Sequence, residues 1–475
     1  NTTVNVYGIF VYSINDFINN GNVSVNTSST NYAASIGVYV DNIGTFTNNG
    51  TILASSNATI SAGAAGISAT SIDNFTNNGS ILAISNSTNS VDVVGVDVRY
   101  IDNFINSNTG NILAKANSTS HYAWAVGVNT SFVIDNFINS GNITAIADSG
   151  GNYAYAYGIY AKSISSGEYI GNFTNSGTIS VLANSTNYAE AMGVYAESIG
   201  NFTNSGTIST IANTIGNRAD ALGVYIWSGF VDNFTNSGNI TATATGDYAG
   251  PRGVVLIDVG NFTNSGIILA SSNATSRAEA VGIGASDIYN FINNGTISVI
   301  ASTTDGQVDA DGVNVGYIGN FTNSGTISVI VNATNNTSTM GVYTVSTDNF
   351  TNNGTISVFA NSGGNYTYVY GIYVDKIGNF TNDGTISVIT NATSYAEVMG
   401  VYTGSIENFT NSGTISVNTN ATGYAKIIGI YASFIGNFTN NGTILAAANA
   451  TNDNAGAWGI YVGDIGNFLN NGTID

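Results

Sequence analysis

Apolar and polar residues alternate along much of the chain. Around Phe173, the residues Phe173, Asn175, Gly177, Ile179, Val181 and Ala183 fall on one side of an extended backbone. Thr174, Ser176, Thr178 and Ser180 fall on the other. A period of two is strand periodicity. Upstream, Gly193-Val194-Tyr195-Ala196 begins another extended segment. The pattern predicts two or three short strands, with their turns, in each stretch of about 30 residues.

The stretch then repeats. Its Phe recurs as Phe17, Phe46, Phe75, Phe104, Phe137, Phe173, Phe202, Phe234, Phe262, Phe291, Phe321, Phe350, Phe380, Phe409, Phe438 and Phe468, which is 16 copies. Most gaps are 28 to 30 residues; the exceptions, 33, 36 and 32, all lie between Phe104 and Phe234. Asn follows two residues after every Phe, and Gly follows four after in 15 copies. Gly or Asp stands two before the Phe in 13 copies. These residue types tolerate positive φ, so a turn is predicted there.

One such unit cannot bury its apolar side alone, whereas stacked units can. Stacking at the ordinary interstrand spacing would make a rod on the order of 75 Å long. Inside it would run a Phe ladder, an Ile ladder and a ladder of Asn amides bonding to one another. An inward Asn that is never replaced is explained by that bonding. The expected fold is all-β: one continuous parallel β-solenoid over 1–475, about 16 coils of about 30 residues, with irregular coils and loop insertions around 104–235.

Composition narrows the function. Eight Lys and Arg stand against 28 Asp and Glu, a net charge of −20. So few cations argue against nucleic-acid binding, which neutralises phosphates. There is no Cys and one His (His121), which removes thiolate and His-rich metal sites. No cofactor or metal is expected. No apolar run is long enough for a helical membrane span. The chain starts at Asn1 without a basic and apolar leader. It is expected to be a mature exported chain whose signal has been removed, or a fragment of a longer one.

The unit Asn201-Phe202-Thr203-Asn204-Ser205-Gly206-Thr207-Ile208, seen again from Asn320, resembles the β-helix repeats of secreted bacterial surface proteins. These are autotransporter passenger domains and filamentous-haemagglutinin-like adhesins. The resemblance covers nearly all of 1–475. It implies a right-handed parallel β-helix located at the cell surface. No C-terminal translocator barrel of the autotransporter kind is seen.

Neither end shows a polar or helical cap of the kind soluble solenoids need. Joining Asp475 to Asn1 of another copy would supply a variable arc and then Gly8-Ile9-Phe10. Head-to-tail stacking of this kind does not close and gives a filament. The expected function is a structural subunit of an extracellular filament or sheath, with Val4, Val6, Ile9, Phe10, Phe468, Ile474 and Asp475 at the interface between copies. The expected partners are the chain itself and, beyond it, glycans or neighbouring filaments. The alternative is a monomeric adhesin rod that binds glycans or host surfaces.

Four sets of residues are candidate sites. Asn-x-Ser/Thr sequons in expected loops, at Asn57, Asn86, Asn117, Asn184, Asn273, Asn332, Asn391, Asn420 and Asn449, are candidate glycan acceptors. Repeat copying and an Asn-rich composition also produce such sequons. Equivalent Gly-Val/Ile-Tyr positions align Tyr343, Tyr373, Tyr402, Tyr431 and Tyr461 in an exposed aromatic stripe, suited to glycan or to neighbouring filaments. Stacked Tyr also simply favours strands. Asp73, Asp102 and Asp135 share a turn position, which implies either bridging Ca²⁺ or solvated Asx turns. Outward pairs such as Thr178 and Ser180, Thr207 and Ser209, and Thr326 and Ser328 form arrays of the kind that can order ice, or that merely favour strands.

Polysaccharide-cleaving β-helices exist, and an active site would interrupt the repeat. The irregular stretch holds Lys115, His121, Lys162 and Glu168, with insertions near Asn108-Thr109, Ser131-Phe132, Ser163-Tyr169 and Trp227-Gly229. These residues fall in different units without a shared carboxylate pair, so no enzyme is expected. The extra loops read more simply as a lateral contact surface.

Overall fold

A computed structural model of the chain describes residues 3–132, 134–161, 170–452 and 454–475. They form an all-β parallel solenoid of about sixteen turns with a spacing of about 29 residues, and no helix occurs among them. The chain divides into two compact units: 1–232 with 237–246, and 233–236 with 247–475.

In the first unit a regular coil contains two strands. Tyr32–Asn48 is followed after two residues by Thr51–Ala58, and the next coil repeats this as Ser61–Asn77 and Ser80–Ser87. Each strand pairs in parallel with its equivalent one coil on: Phe46 with Phe75, Asn48 with Asn77, Ile52 with Ile81. The second unit repeats the arrangement, with Tyr366–Asn382 and Thr385–Ala392 pairing onto Tyr395–Asn411 and Thr414–Ala421. The Gly-Val-Tyr segment therefore merges with the Phe segment into one long strand in regular coils. It stays separate in parts of the irregular stretch, as Tyr188–Ala196 and Ile199–Asn204.

The alternation reads through to burial. Phe46, Asn48, Ile52 and Ala54 face a closed interior, while Thr47, Thr51 and Leu53 between them are half-buried. Phe rings stack at 4.4 to 5.2 Å in the first unit. In the second they stack at 4.3 to 5.3 Å. The planes stay within 11° of parallel in both units.

Two classes of Gly keep the coil thin. A Cβ on Gly371 would lie 2.6 Å from the Gly400 carbonyl oxygen and 2.8 Å from Ile386 Cγ2 on the facing strand. A Cβ on Gly354, four residues after Phe350, would overlap the backbone of Gly325 one coil earlier. The Gly two residues before the Phe does not make the expected turn. Gly44 lies inside Tyr32–Asn48, and among the described residues positive φ occurs only at Gly229, at 76°. What that position meets instead is the preceding coil: a Cβ on Gly44 would approach the Asn15 carbonyl oxygen to 2.9 Å. Asp73 and Asp102, in the same column, likewise lie within the strands Ser61–Asn77 and Ser90–Asn106 and not in turns.

Candidate functional surfaces

The most regular chemical feature is the inward Asn column. In the first unit Asn48 Nδ2 donates to Asn77 Oδ1 at 2.9 Å, Asn77 to Asn106 at 2.8 Å, and Asn139 to Asn175 at 2.7 Å. In the second, the same bond joins Asn264 to Asn293, Asn293 to Asn323 and Asn323 to Asn352, each at 2.8 Å. These amides have no solvent exposure, so each must be paired within the protein. In most coils the Nδ2 also faces the carbonyl of the Gly two residues on, as Asn352 does to Gly354 at 3.4 Å, and Asn106 reaches Gly110 at 3.3 Å across the two-residue insertion. The column holds the coils in one register, because a slip of one residue would strand every amide.

A second Asn column lies on the outer surface and contains the candidate glycan acceptors. They are not in loops: Asn57 lies in Thr51–Ala58, Asn117 in Asn111–Ser118 and Asn391 in Thr385–Ala392. Asn86, Asn184, Asn273, Asn332, Asn420 and Asn449 are also inside strands, most of them one residue before the end. The ladder bonding holds the extended backbone past the point where the sequence suggests a loop. Asn86 donates to Asn57 at 2.8 Å, Asn117 to Asn86 at 2.7 Å, Asn391 to Asn361 at 2.7 Å and Asn420 to Asn391 at 3.2 Å. Six of the nine are exposed, and Asn117, Asn184 and Asn391 are half-buried. A groove follows this column in each unit, past Asn57, Asn86 and Asn117 in one and past Asn391, Asn420 and Asn449 in the other.

The five Tyr of the stripe are in register, with ring centroids 5.5, 4.5, 5.0 and 5.6 Å apart from Tyr343 to Tyr461. They do not stand free as expected. Tyr373, Tyr402 and Tyr431 pack on a cluster of Tyr370, Met399 and Ile428, and only Tyr461 is as much as 50% exposed. Gly400 backs onto Ile415 of the facing strand, and its neighbour Val401 is fully buried. With two successive inward positions the alternation breaks. Met399 and Tyr402 then meet in an outer crease.

The outer face also carries carboxylates held by tyrosines. Tyr157 Oη donates to Glu190 at 2.5 Å, and Tyr188 Oη to Glu190 at 2.8 Å and to Asp220 at 3.2 Å. Burial, then the Glu190 charge, pushes the Tyr157 and Tyr188 phenols far above their ordinary value. In the second unit Tyr395 donates to Glu397 at 2.9 Å and Lys426 to Glu397 at 3.2 Å. The signal in the sequence is an outward Tyr or Arg two residues before an acid, as in Tyr188-Ala189-Glu190 and Arg218-Ala219-Asp220.

The stretch considered for chemistry stays dispersed. His121 meets the Asn152 amide at 3.3 Å and the edge of Tyr153, and Lys115 lies in register between Ile84 and Ile146. Lys162, Glu168 and the Ser163-Tyr169 insertion lie outside the described residues, as does Asn1. Burial and the neighbouring Asp73 and Asp135 charges raise the Asp102 carboxyl. Among the described residues no three His, Cys, Asp or Glu group together as a metal site would need. Thr178 and Ser180 pair in register with Thr207 and Ser209 and are half-buried, as are Thr326 and Ser328.

The residues named for contact between copies lie on the outermost coils. Val4, Ile9 and Ile474 are half-buried, while Val6, Phe10, Phe468 and Asp475 are exposed. Phe468 is 55% exposed, whereas Phe438 one coil earlier is 1% exposed, because an outermost coil is covered on one side only. No described helix is long and apolar enough to cross a membrane. Comparison with protein families, curated proteins and solved structures found no match.

Proposed function

We propose that the chain is a structural subunit of an extracellular filament or sheath, built by coil-on-coil stacking between copies, and that it carries no enzymatic chemistry. The observation behind this is the invariance of the contact between coils. Each coil hands on the Phe ring, the Asn amide and the backbone pattern it received, as Phe380 and Asn382 do to Phe409 and Asn411. A contact that repeats without change inside a chain can be repeated between chains. The Asn-, Ser- and Thr-rich outer surface suits an exported, hydrated fibre. The resemblance to β-helix repeats of secreted surface proteins supports the location.

Immunogold labelling of the source cells with an antibody against the chain tests location and form together. Label following filaments or a layer outside the cell supports the proposal. Label confined to the cell interior overturns it.

A further inference from the structure

The second unit has a notch on its outer face that the structural role does not use. Asp309, Ser338 and Tyr368 occupy one column in three successive coils. Ser338 is the small residue of the three, so it forms a floor between two taller walls. Gln307 and Asp309 make one wall, Tyr366 and Tyr368 the other, and Asn336 lies beside the floor. The space is about 220 Å³. The Tyr366 and Tyr368 rings are parallel to within 2°, with centroids 6.4 Å apart, and are 52% and 36% exposed. Tyr395 braces both from the next coil, at 6.1 and 6.2 Å.

The geometry points to a binding site for one neutral hexopyranose ring. Walls two coils apart are separated by about 9.6 Å. One ring, about 4 Å from the tyrosines and with its hydroxyls about 3 Å from hydrogen-bonding groups opposite, fits within that gap, whereas two stacked rings do not. The C–H face of a sugar matches the flat aromatic wall. Its hydroxyls match the polar wall. Asp309 Oδ2 accepts from Arg277 at 3.2 Å, which leaves Oδ1 for a ligand hydroxyl. Asn336 Oδ1 accepts from the Asn365 and Tyr366 amides at 3.1 Å, which fixes the residue and leaves its Nδ2 to donate. A purely apolar ligand would desolvate Gln307, Asp309 and Asn336 without replacing their hydrogen bonds. An anionic ligand would meet Asp309 on a chain of net charge −20. A cation would compete with Arg277, which lies between Asp309 at 3.2 Å and Glu279 at 2.5 Å. A neutral polyhydroxylated ring has none of these conflicts. The site does not depend on coil stacking between copies.

The test is saturation-transfer NMR on the full chain with methyl glycosides of glucose, galactose, mannose and N-acetylglucosamine, alongside the free sugars. At least one should bind, with a dissociation constant on the order of millimolar for a single small ring. Tyr368→Ala should weaken it tenfold or more. Ser338→Tyr should abolish it by filling the notch while extending the aromatic column, so this variant keeps the walls and the fold. Tyr461→Ala, in a different column, should leave the affinity within twofold. Binding of the methyl glycoside marks a site for the end of a glycan chain. Binding of the free sugar alone marks a site for free sugar. No transfer to any of these sugars, or equal transfer in wild type and a folded Ser338→Tyr chain, overturns the assignment.

Discussion

Asn323 Nδ2 donates to Asn352 Oδ1 at 2.8 Å across 29 positions of sequence, with both side chains fully buried. The bond fixes which coil faces which, and it is the same bond one coil further on, from Asn352 to Asn382 at 2.8 Å. Neither partner can be replaced by an apolar residue without stranding the other.

Asn352→Leu should therefore cost about 2–4 kcal/mol, because it strands the Asn323 donor and the Asn382 acceptor together. Asn352→Asp should cost more above the carboxylate range, since a buried carboxylate accepts but cannot donate to Asn382. Urea unfolding of the two variants against wild type checks both. Leucine behaving like wild type would contradict the ladder's role.

Gly354 and Gly284 make a matched pair. A Cβ at Gly354 would overlap Gly325 backbone, which cannot yield, whereas at Gly284 nothing lies closer than 3.8 Å. Gly354→Ala should lower the melting temperature sharply. Gly284→Ala should be neutral or stabilising by about 0.4–1 kcal/mol, through the unfolded chain. Calorimetry on the two single variants reads the difference.

Asp311 gives a pH dependence of known sign. Burial pushes its carboxyl up to about 6 from 3.8, although Asn314 donates to it at 2.7 Å. Between about pH 4 and 6 the unfolded chain gives up this proton while the folded chain keeps it, so the group's contribution falls as pH rises through that window and is flat above it. Asp311→Asn keeps the Asn314 bond and removes the charge. It should stabilise by about 1–2 kcal/mol at pH 7 and by nothing at pH 3.5. Thermal melts of both chains at the two pH values test this.

The outer Asn column predicts which sequons carry sugar when the chain is made in an N-glycosylating host. Asn57, Asn273 and Asn332 accept from the next coil, while Asn86, Asn117, Asn184, Asn391, Asn420 and Asn449 commit Nδ2, the glycan-bearing nitrogen, to a bond with the preceding coil. Occupancy should be highest at Asn57, Asn273 and Asn332, as read by glycopeptide mass spectrometry. Uniform occupancy along the column would contradict the prediction.

The solenoid and its inner ladders were legible in the sequence because they depend on one position repeating. Phe and Asn recur at fixed offsets and face inward by simple alternation, so stacking follows from the period. What was not legible depends on contacts the period does not display. The contact of Gly371 with Ile386 joins facing strands of one coil, a pairing that the spacing between coils does not display. The crease holding Tyr402 follows from two successive inward residues, Gly400 and Val401, where alternation predicts one. The loop placement of the sequons failed because ladder bonds such as Asn391 to Asn361 extend the strand. The notch beside Tyr368 arises from the difference between Asp309, Ser338 and Tyr368 in one column, which averaging over a repeat conceals.

The central claim, that copies stack as coils do, is tested most directly by electron microscopy of the purified chain over a concentration series. Filaments should form, grow in number with concentration and be abolished by Ile474→Lys, which places a charge on the stacking face. Isolated particles at every concentration, the same for wild type and variant, would contradict it.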